Sequence, residues 1–415
     1  MWSILLGCAE VRQVLEISHA TDPTIDVRRG VLITAAIAAS LLATTIARAE
    51  DGVTADTVTF GQAAVFEGPA AALGTGMRAG IQAAFEEANK QGGVHGRKLK
   101  LISVDDGYEP DKAIAATKKL IEQDKVFALI GPVGTPTSAA TQPIATAANV
   151  PFIGAFTGAT FLRDSKLTNV VNIRASYDAE TEAWAKHLVE DLKIKKIAIF
   201  YQDDSFGRAG LSGFKKAMEK RGMEIAAEGT FERNTVAVKS ALLAIKRAEP
   251  EAVVMVGPYK PSAEFIKLAR KIDFNPVFVN ISFVGAVALA KELGADGNGV
   301  VISQVVPFPW NASIKAVADY QAAIKALDPQ TQPDFVSLEG YLAGRLAIAA
   351  IEKTGKDLSR ETLLKTIKTG SFDIGGLKMT YGADHGEGLD TVFMTVIQPD
   401  GSFKAVDKLV KLSRN

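Results

Sequence analysis

The chain has 415 residues, enough for two or three domains, and its 47 Lys+Arg against 47 Asp+Glu give no basis for a nucleic-acid or acidic-surface partner. Hydrophobic residues make up 47%, which can fill sizeable cores. The one cysteine, Cys8, falls ahead of the expected mature start, so disulfides, thiol catalysis and cysteine metal sites are excluded from the mature chain.

Near the start, Arg28-Arg29, the apolar run Gly30–Ile46 and Ala47-Arg48-Ala49 follow one another. Basic, apolar, then small-x-small is the order of a secretory signal peptide, with cleavage predicted after Ala49 and export of the mature chain. The run is short for a membrane span and ends in a cleavage site, which reads as removal rather than anchoring. Residues 1–27 place Glu10, Glu16, Asp22 and Asp26 ahead of the basic pair, as a start codon set too far upstream would. Leu5-Leu6-Gly7-Cys8 resembles a lipoprotein box but has no basic residue before it.

From Val58 strand-like and helix-like segments alternate, which predicts α/β layers on parallel sheets. Val58–Ala64 is the first apolar run, Phe66–Pro69 a turn, and a long helix runs to about Asn89, stopped by Gln91-Gly92-Gly93. Lys98–Asp105 and Asp111–Gln123 are the next strand and helix. The stretch Val126–Thr160 then holds two buried-strand runs, Val126–Gly131 and Pro151–Phe156, around an alanine-rich helical segment. Beyond each run the composition turns to Gly, Pro, Ser and Thr, in Gly131–Ser138 and Thr157–Thr160. Ligands of open α/β sheets bind beyond strand C-termini, where helix N-termini offer unpaired N–H groups to an anion, so a small carboxylate is expected here. The plainer alternative is that Ser138 caps a helix and the glycines turn the chain.

The pattern restarts after Val170–Ile173 and the connection Arg174–Asp178. Helices are expected over Asp178–Leu192, Phe206–Arg221, Thr235–Ala248 and Ser262–Ile272, and strands over Lys196–Gln202, Glu224–Phe231, Ala252–Val256, Val277–Asn280 and Val300–Val306. Trp310–Leu327, Phe335–Thr354 and Arg360–Lys368 read as helices. Leu377–Tyr381, Thr391–Gln398 and Ser402–Leu409 read as antiparallel strands, with Pro399-Asp400-Gly401 turning a hairpin. Two similar lobes joined by ordered crossings are the simplest architecture.

Catalytic signatures are weak. Gly74-x-Gly76-x-x-x-Gly80 misses the dinucleotide spacing by one and opens an Ala-rich helix, so close packing explains it. G-x-S-x-G, H-E-x-x-H and P-loop sequences are absent. His95, His187 and His385 fall in separate predicted elements, and Asp203-Asp204 in a strand-end loop reads as solvated or as a helix cap.

Taken in order, Glu67-Gly68-Pro69, Gly92-Gly93-Val94-x-Gly96-Arg97, Asp105-Asp106, Pro110, Ala113, Ile130-Gly131-Pro132 and Ala140-Thr141-Gln142-Pro143 resemble the periplasmic solute-binding proteins of ABC importers, in their leucine/isoleucine/valine-binding branch. The likeness covers essentially 51–415. It implies an α/β type I binding protein, each lobe a mainly parallel sheet flanked by helices, with three hinge crossings near Arg174–Asp178, Ser303–Phe308 and Gly375–Thr380. The first lobe would comprise 50–175 and 305–376, the second 176–304 and 377–415, after an upstream segment 1–49. It implies a monomer that closes on a small ligand and docks onto a membrane permease, with no catalysis, cofactor or metal.

Carried over by position, the resemblance gives Thr135 the ligand carboxylate, Phe156 a backbone carbonyl, and Thr157 or Gly158 the neighbouring hydroxyl. Phe206 and Tyr259 become cleft aromatics, each with a plainer reading as a core or turn residue. The acid that pairs with an amino-acid ammonium is replaced by Ser282, and Tyr108 and Gly134 stand where the family's first-lobe cysteines fall. A buried ammonium with no carboxylate costs several kcal/mol, and Phe156, Phe206, Tyr259 and Phe283 would line an aromatic slot. The expected ligand is therefore an aromatic or branched acid or keto acid, with a branched-chain or aromatic amino acid, or a ligand-sensing domain, as alternatives.

Overall fold

A computed structural model describes residues 50–382 and 386–410. The expected signal peptide with its cleavage after Ala49, the segment 1–27, Cys8 and His385 lie outside the described residues. The first half runs β1 (Thr57–Ala64), α1 (Ala71–Lys90), β2 (Lys98–Asp105), α2 (Pro110–Lys118), β3 (Ala128–Ile130), α3 (Thr135–Ala147), β4 (Phe152–Ile153) and β5 (Val170–Val171). These strands make a five-stranded sheet, β2-β1-β3-β4-β5, parallel throughout. β3 and β4 are shorter than their apolar runs because Gly131 and Gly154 take φ of 62° and 61°, which an extended ladder cannot accommodate.

The second half runs α4 (Tyr177–Lys186), β6 (Ile197–Gln202), α5 (Ser205–Glu219), β7 (Glu228–Phe231), α6 (Lys239–Arg247), β8 (Ala252–Val256), α7 (Tyr259–Lys271), β9 (Val277–Asn280), α8 (Ala286–Leu293) and β10 (Val301–Gln304). The helix α8 was not anticipated. Gly285 and Gly294 bracket a segment of only eight residues, which is short for a helix to be read from its apolar spacing. The chain then adds α9 (Lys315–Leu327), α10 (Phe335–Thr354), α11 (Arg360–Lys368), β11 (Ser371–Ile374), β12 (Leu377–Thr380), β13 (Phe393–Ile397) and β14 (Phe403–Val406).

The seven-stranded sheet is ordered β14-β13-β10-β9-β8-β6-β7, with β13 and β14 antiparallel on one edge. α10 lies along α1, and so belongs with the five-stranded sheet. The chain therefore passes between the sheets around Arg174 and again after β10. Its third passage differs from the expected Gly375–Thr380: Gly375 and Gly376, both at positive φ, turn the β11–β12 hairpin, and the passage follows Tyr381. There Gly388 and Leu389 donate to the carbonyls of Asn172 and Ile173, which ties the third connection to the first. One apolar core runs through both halves, and a smaller one lies against the five-stranded sheet around Leu120, Leu129 and Phe152.

Candidate functional site

The two sheets bring their strand C-termini to face each other. α3 begins at Thr135 after Gly134, whose φ of 105° turns the chain out of β3, and no side chain caps it. Ser138 does not serve as the cap: its N–H is an ordinary helical donor to Gly134, and its buried hydroxyl has no partner. The first-turn N–H groups thus end at a buried face with nothing from the chain's side chains upon them. The Thr135 and Thr157 hydroxyls bond each other at 2.7 Å beside it. Gly134 donates to the Phe156 carbonyl at 3.2 Å, so that carbonyl is already engaged and holds the two strand-end loops together.

Gly158 has a packing role. Its carbonyl accepts the Tyr177 N–H at 2.7 Å, and a Cβ there would stand 2.5 Å from the Tyr177 ring. Phe283 gathers the aromatic residues, with ring centroids 5.2 Å from Phe156, 4.6 Å from Phe206 and 6.1 Å from Tyr108. Tyr108 also packs against Gly134, so the two positions aligned with the family's cysteines are in contact. Tyr259 reaches across the halves, its hydroxyl accepting the Ala72 N–H of α1 at 3.4 Å.

Ser282 has unexpected company. Its N–H and Oγ contact Glu180 at 2.9 and 2.8 Å, and its Oγ also accepts from Arg174 Nη2. Arg174, fully buried, pairs with Glu180 at 3.1 Å and Glu339 at 3.7 Å and lies over the rings of Phe156 and Tyr177. Burial would lower the Arg174 pKa, but Glu339 and Glu180 outweigh it and hold the cation above its ordinary value. Burial raises Glu339 to about 7 despite the nearby Arg174. Sequence reading placed Arg174 only in a connection and missed Glu180. The available signal was an acid within the buried stripe Tyr177, Glu180, Thr181, Trp184 of α4, where periodicity calls for apolar residues.

Buried polar atoms without a hydrogen-bond partner gather at these strand ends: Ser138 Oγ, Gln202 Oε1, both side-chain polar atoms of Asn280, and Arg174 Nε and Nη1, the last ion-paired with Glu339. Buried polar groups are ordinarily satisfied, so this gathering sets the strand ends apart from the rest of the core. Asp204 caps α5 through the Phe206 N–H, and His95 and His187 bond the Glu352 carbonyl and Asp191. Among the described residues no cluster of His, Cys, Asp or Glu is placed to hold a metal, and no helix is long and apolar enough to cross a membrane. A cavity of about 460 Å³ opens at the opposite end of the seven-stranded sheet, among Ile194, Phe278, Val301 and Leu409.

A family model described as periplasmic binding protein matches residues 57–402, and the chain belongs to that family. It is 28% identical over 360 residues to the Leu/Ile/Val-binding protein BraC3 of Rhizobium johnstonii, covering 84% of this chain and 92% of that one. A crystal structure of a possible leucine/isoleucine/valine-binding protein from Rhodopirellula baltica superposes with a TM-score of 0.81 at 38% identity, over 87% of this chain and 98% of that one. An extracellular ligand-binding receptor from Verminephrobacter eiseniae gives 0.77 at 29%, over 84% and 99%. The architecture is thus the two-lobed type I periplasmic binding fold, and these relatives are solute-binding proteins, not enzymes.

Proposed function

We propose that this chain is the extracytoplasmic substrate-binding component of an ABC importer, capturing a small organic carboxylate by closure of its lobes, with an aromatic or branched acid or keto acid favoured. The uncapped, buried N-terminus of α3 beside the Thr135–Thr157 hydroxyl pair carries the reading. Helix-terminal N–H groups suit a carboxylate, and the Phe156, Phe206 and Phe283 rings suit an apolar body. Closure excludes water, which strengthens those polar contacts and offers a distinct shape to a permease. Glu180, the carboxylate that touches Ser282, already accepts from Arg174, Ser282 and Ser303, which speaks against an ammonium partner there. A branched-chain amino acid is the second reading, favoured by relatives named for leucine, isoleucine and valine binding.

A thermal-shift screen of leucine, phenylalanine, phenylpyruvate and benzoate, each beside its methyl ester, tests the proposal. Free acids are expected to raise the melting temperature and their esters not, because a ligand stabilises only the state it binds. Thr135→Val should weaken acid binding by about 10- to 150-fold, the loss of one hydrogen bond to a charged group at roughly 1.5–3 kcal/mol. Esters as stabilising as acids would overturn the carboxylate assignment, and preferential stabilisation by leucine would overturn the preference for acids over amino acids.

A further inference from the structure

A single turn carries a deeper inference, which rests on the reading that the halves close upon a ligand. Beyond β2 the chain turns through Asp106, Gly107, Tyr108 and Glu109, with the Glu109 N–H donating to the Asp106 carbonyl at 2.9 Å. Gly107 and Tyr108 take φ of 56° and 60°, as the two central residues of a type I′ turn do. Glycine adopts this region freely, whereas a bulky side chain there is an outlier. Tyr108 is also fully buried, while the other non-glycine residues described at positive φ are exposed or half-buried. The Asp106 carboxyl accepts the Tyr108 N–H at 2.8 Å. A backbone held in such a conformation persists where its surroundings over-determine it.

The surroundings of Tyr108 come from both halves. On one side its ring lies on Gly134, where a Cβ would stand 2.3 Å from Tyr108 Cε2, so the residue that opens α3 has to be glycine. On the other side are two residues of the second half: the Phe283 ring, 6.1 Å away between centroids, and Gln202, whose Nε2 donates to the Tyr108 hydroxyl at 3.3 Å. The neighbours of Tyr108 cross over as well. The Gly107 carbonyl accepts from Asn234 at 3.1 Å, and Glu109 accepts from Asn234 at 2.7 Å and from Arg233 at 2.9 Å. Three consecutive residues thus grip the second half, and the middle one is seated on the start of α3. We propose that this turn is the latch that holds the halves together, and that Tyr108 is the positioning residue that presents Gly107 and Glu109 to their partners.

Residues 50–415, the expected mature chain, hold no cysteine, so spin labels go cleanly onto Ala115→Cys of α2 and Ala244→Cys of α6, exposed positions in opposite halves. Pulsed electron resonance then reads the separation of the halves with no ligand added. A near, latched population and a far one are expected. Tyr108→Phe removes only the hydroxyl and should lower the near-to-far ratio about two- to tenfold, the worth of one hydrogen bond. Asn234→Ala reaches the latch from the other half and should shift the ratio the same way, which keeps the test decisive should a Tyr108 variant not fold. Tyr108→Ala unseats the turn and should lower the ratio at least as far as Asn234→Ala. Because Tyr108 acts through Gly107 and Glu109, adding Asn234→Ala to Tyr108→Ala should then change little. A wild type wholly in the far population, or a ratio that stays put in both Tyr108→Phe and Asn234→Ala whatever their melting temperatures, overturns the latch and leaves closure upon a ligand standing. Full additivity in the double variant overturns the positioning role of Tyr108. One fixed separation in every variant overturns closure itself together with the latch.

Discussion

A carboxyl group taken out of water is costly to ionise, and Glu339 is 3% exposed. Burial raises its pKa to about 7; Arg174 and Arg163 pull it down and Glu180 pushes it up. Burial likewise raises Asp106 to about 7 and Asp334 to about 6. For each, the folded value lies above the unfolded one, so the folded chain holds a proton that the unfolded chain has released. Their contribution to stability is complete below the unfolded carboxylate range near 4 and is lost as pH rises toward 7. Ligand-free protein should therefore lose part of its stability between about pH 4 and pH 7. Glu339→Gln, which mimics the protonated form, should flatten that fall and leave the protein at least as stable as wild type at the upper end. Melting curves across this range that keep the wild-type slope in the variant would contradict the assignment to Glu339.

At the scale of elements, Gly76 and Gly80 of α1 are explained by α10, and Gly74 by the Val65 backbone. A Cβ on Gly80 would overlap the Ser337 carbonyl, and one on Gly340 would overlap the Met77 carbonyl, so the two backbones touch with no side chain between them. That seam seats α10, and with it Glu339, against the five-stranded sheet. Gly80→Ala should cost about 2–3 kcal/mol, in the upper range for overpacking, since a backbone carbonyl cannot move aside like a side chain. Denaturant unfolding reads this directly, and a loss under about half a kcal/mol would show that the helices yield. The dinucleotide-like spacing is a packing motif, and the chain order alone made that readable: the glycines sit inside a helix rich in alanine, and their spacing misses the fingerprint by one.

Across the whole molecule, the halves are joined by contacts remote in sequence. Arg233, after β7, pairs with Glu109, before α2, at 2.9 Å and with Asp204 at 3.0 Å. Asn234 adds bonds to Glu109 at 2.7 Å and to the Gly107 carbonyl at 3.1 Å. Burial would lower the Arg233 pKa, but Glu109 and Asp204 outweigh it and hold it up. The group is partly in water, so the pair is worth about 1 kcal/mol or less. That is still enough to bias an equilibrium between open and closed arrangements. Glu109→Gln should therefore speed ligand release and weaken apparent affinity about two- to fivefold, while the melting temperature without ligand stays put. Stopped-flow dissociation checks this, and an unchanged release rate would mean that the contact does not hold the halves together.

Alternation of apolar runs with amphipathic ones, and glycine-rich loops after each run, are local properties. They were enough to read parallel α/β sheets and loops at the strand ends, with Thr135, Phe156 and Thr157 in them. Hairpins and hidden helices were harder, because Gly375-Gly376 and the short Ala286–Leu293 satisfy more than one local rule. What surrounds Ser282 was decided by tertiary structure alone. Its neighbours Arg174 and Glu180 stand 108 and 102 residues away in the chain, on a connection and on a helix face whose directions depend on how the sheets pack. A sequence states which residues can pair; only the folded crossing of the two halves determines that Arg174, Glu180 and Ser282 meet in the buried space between them.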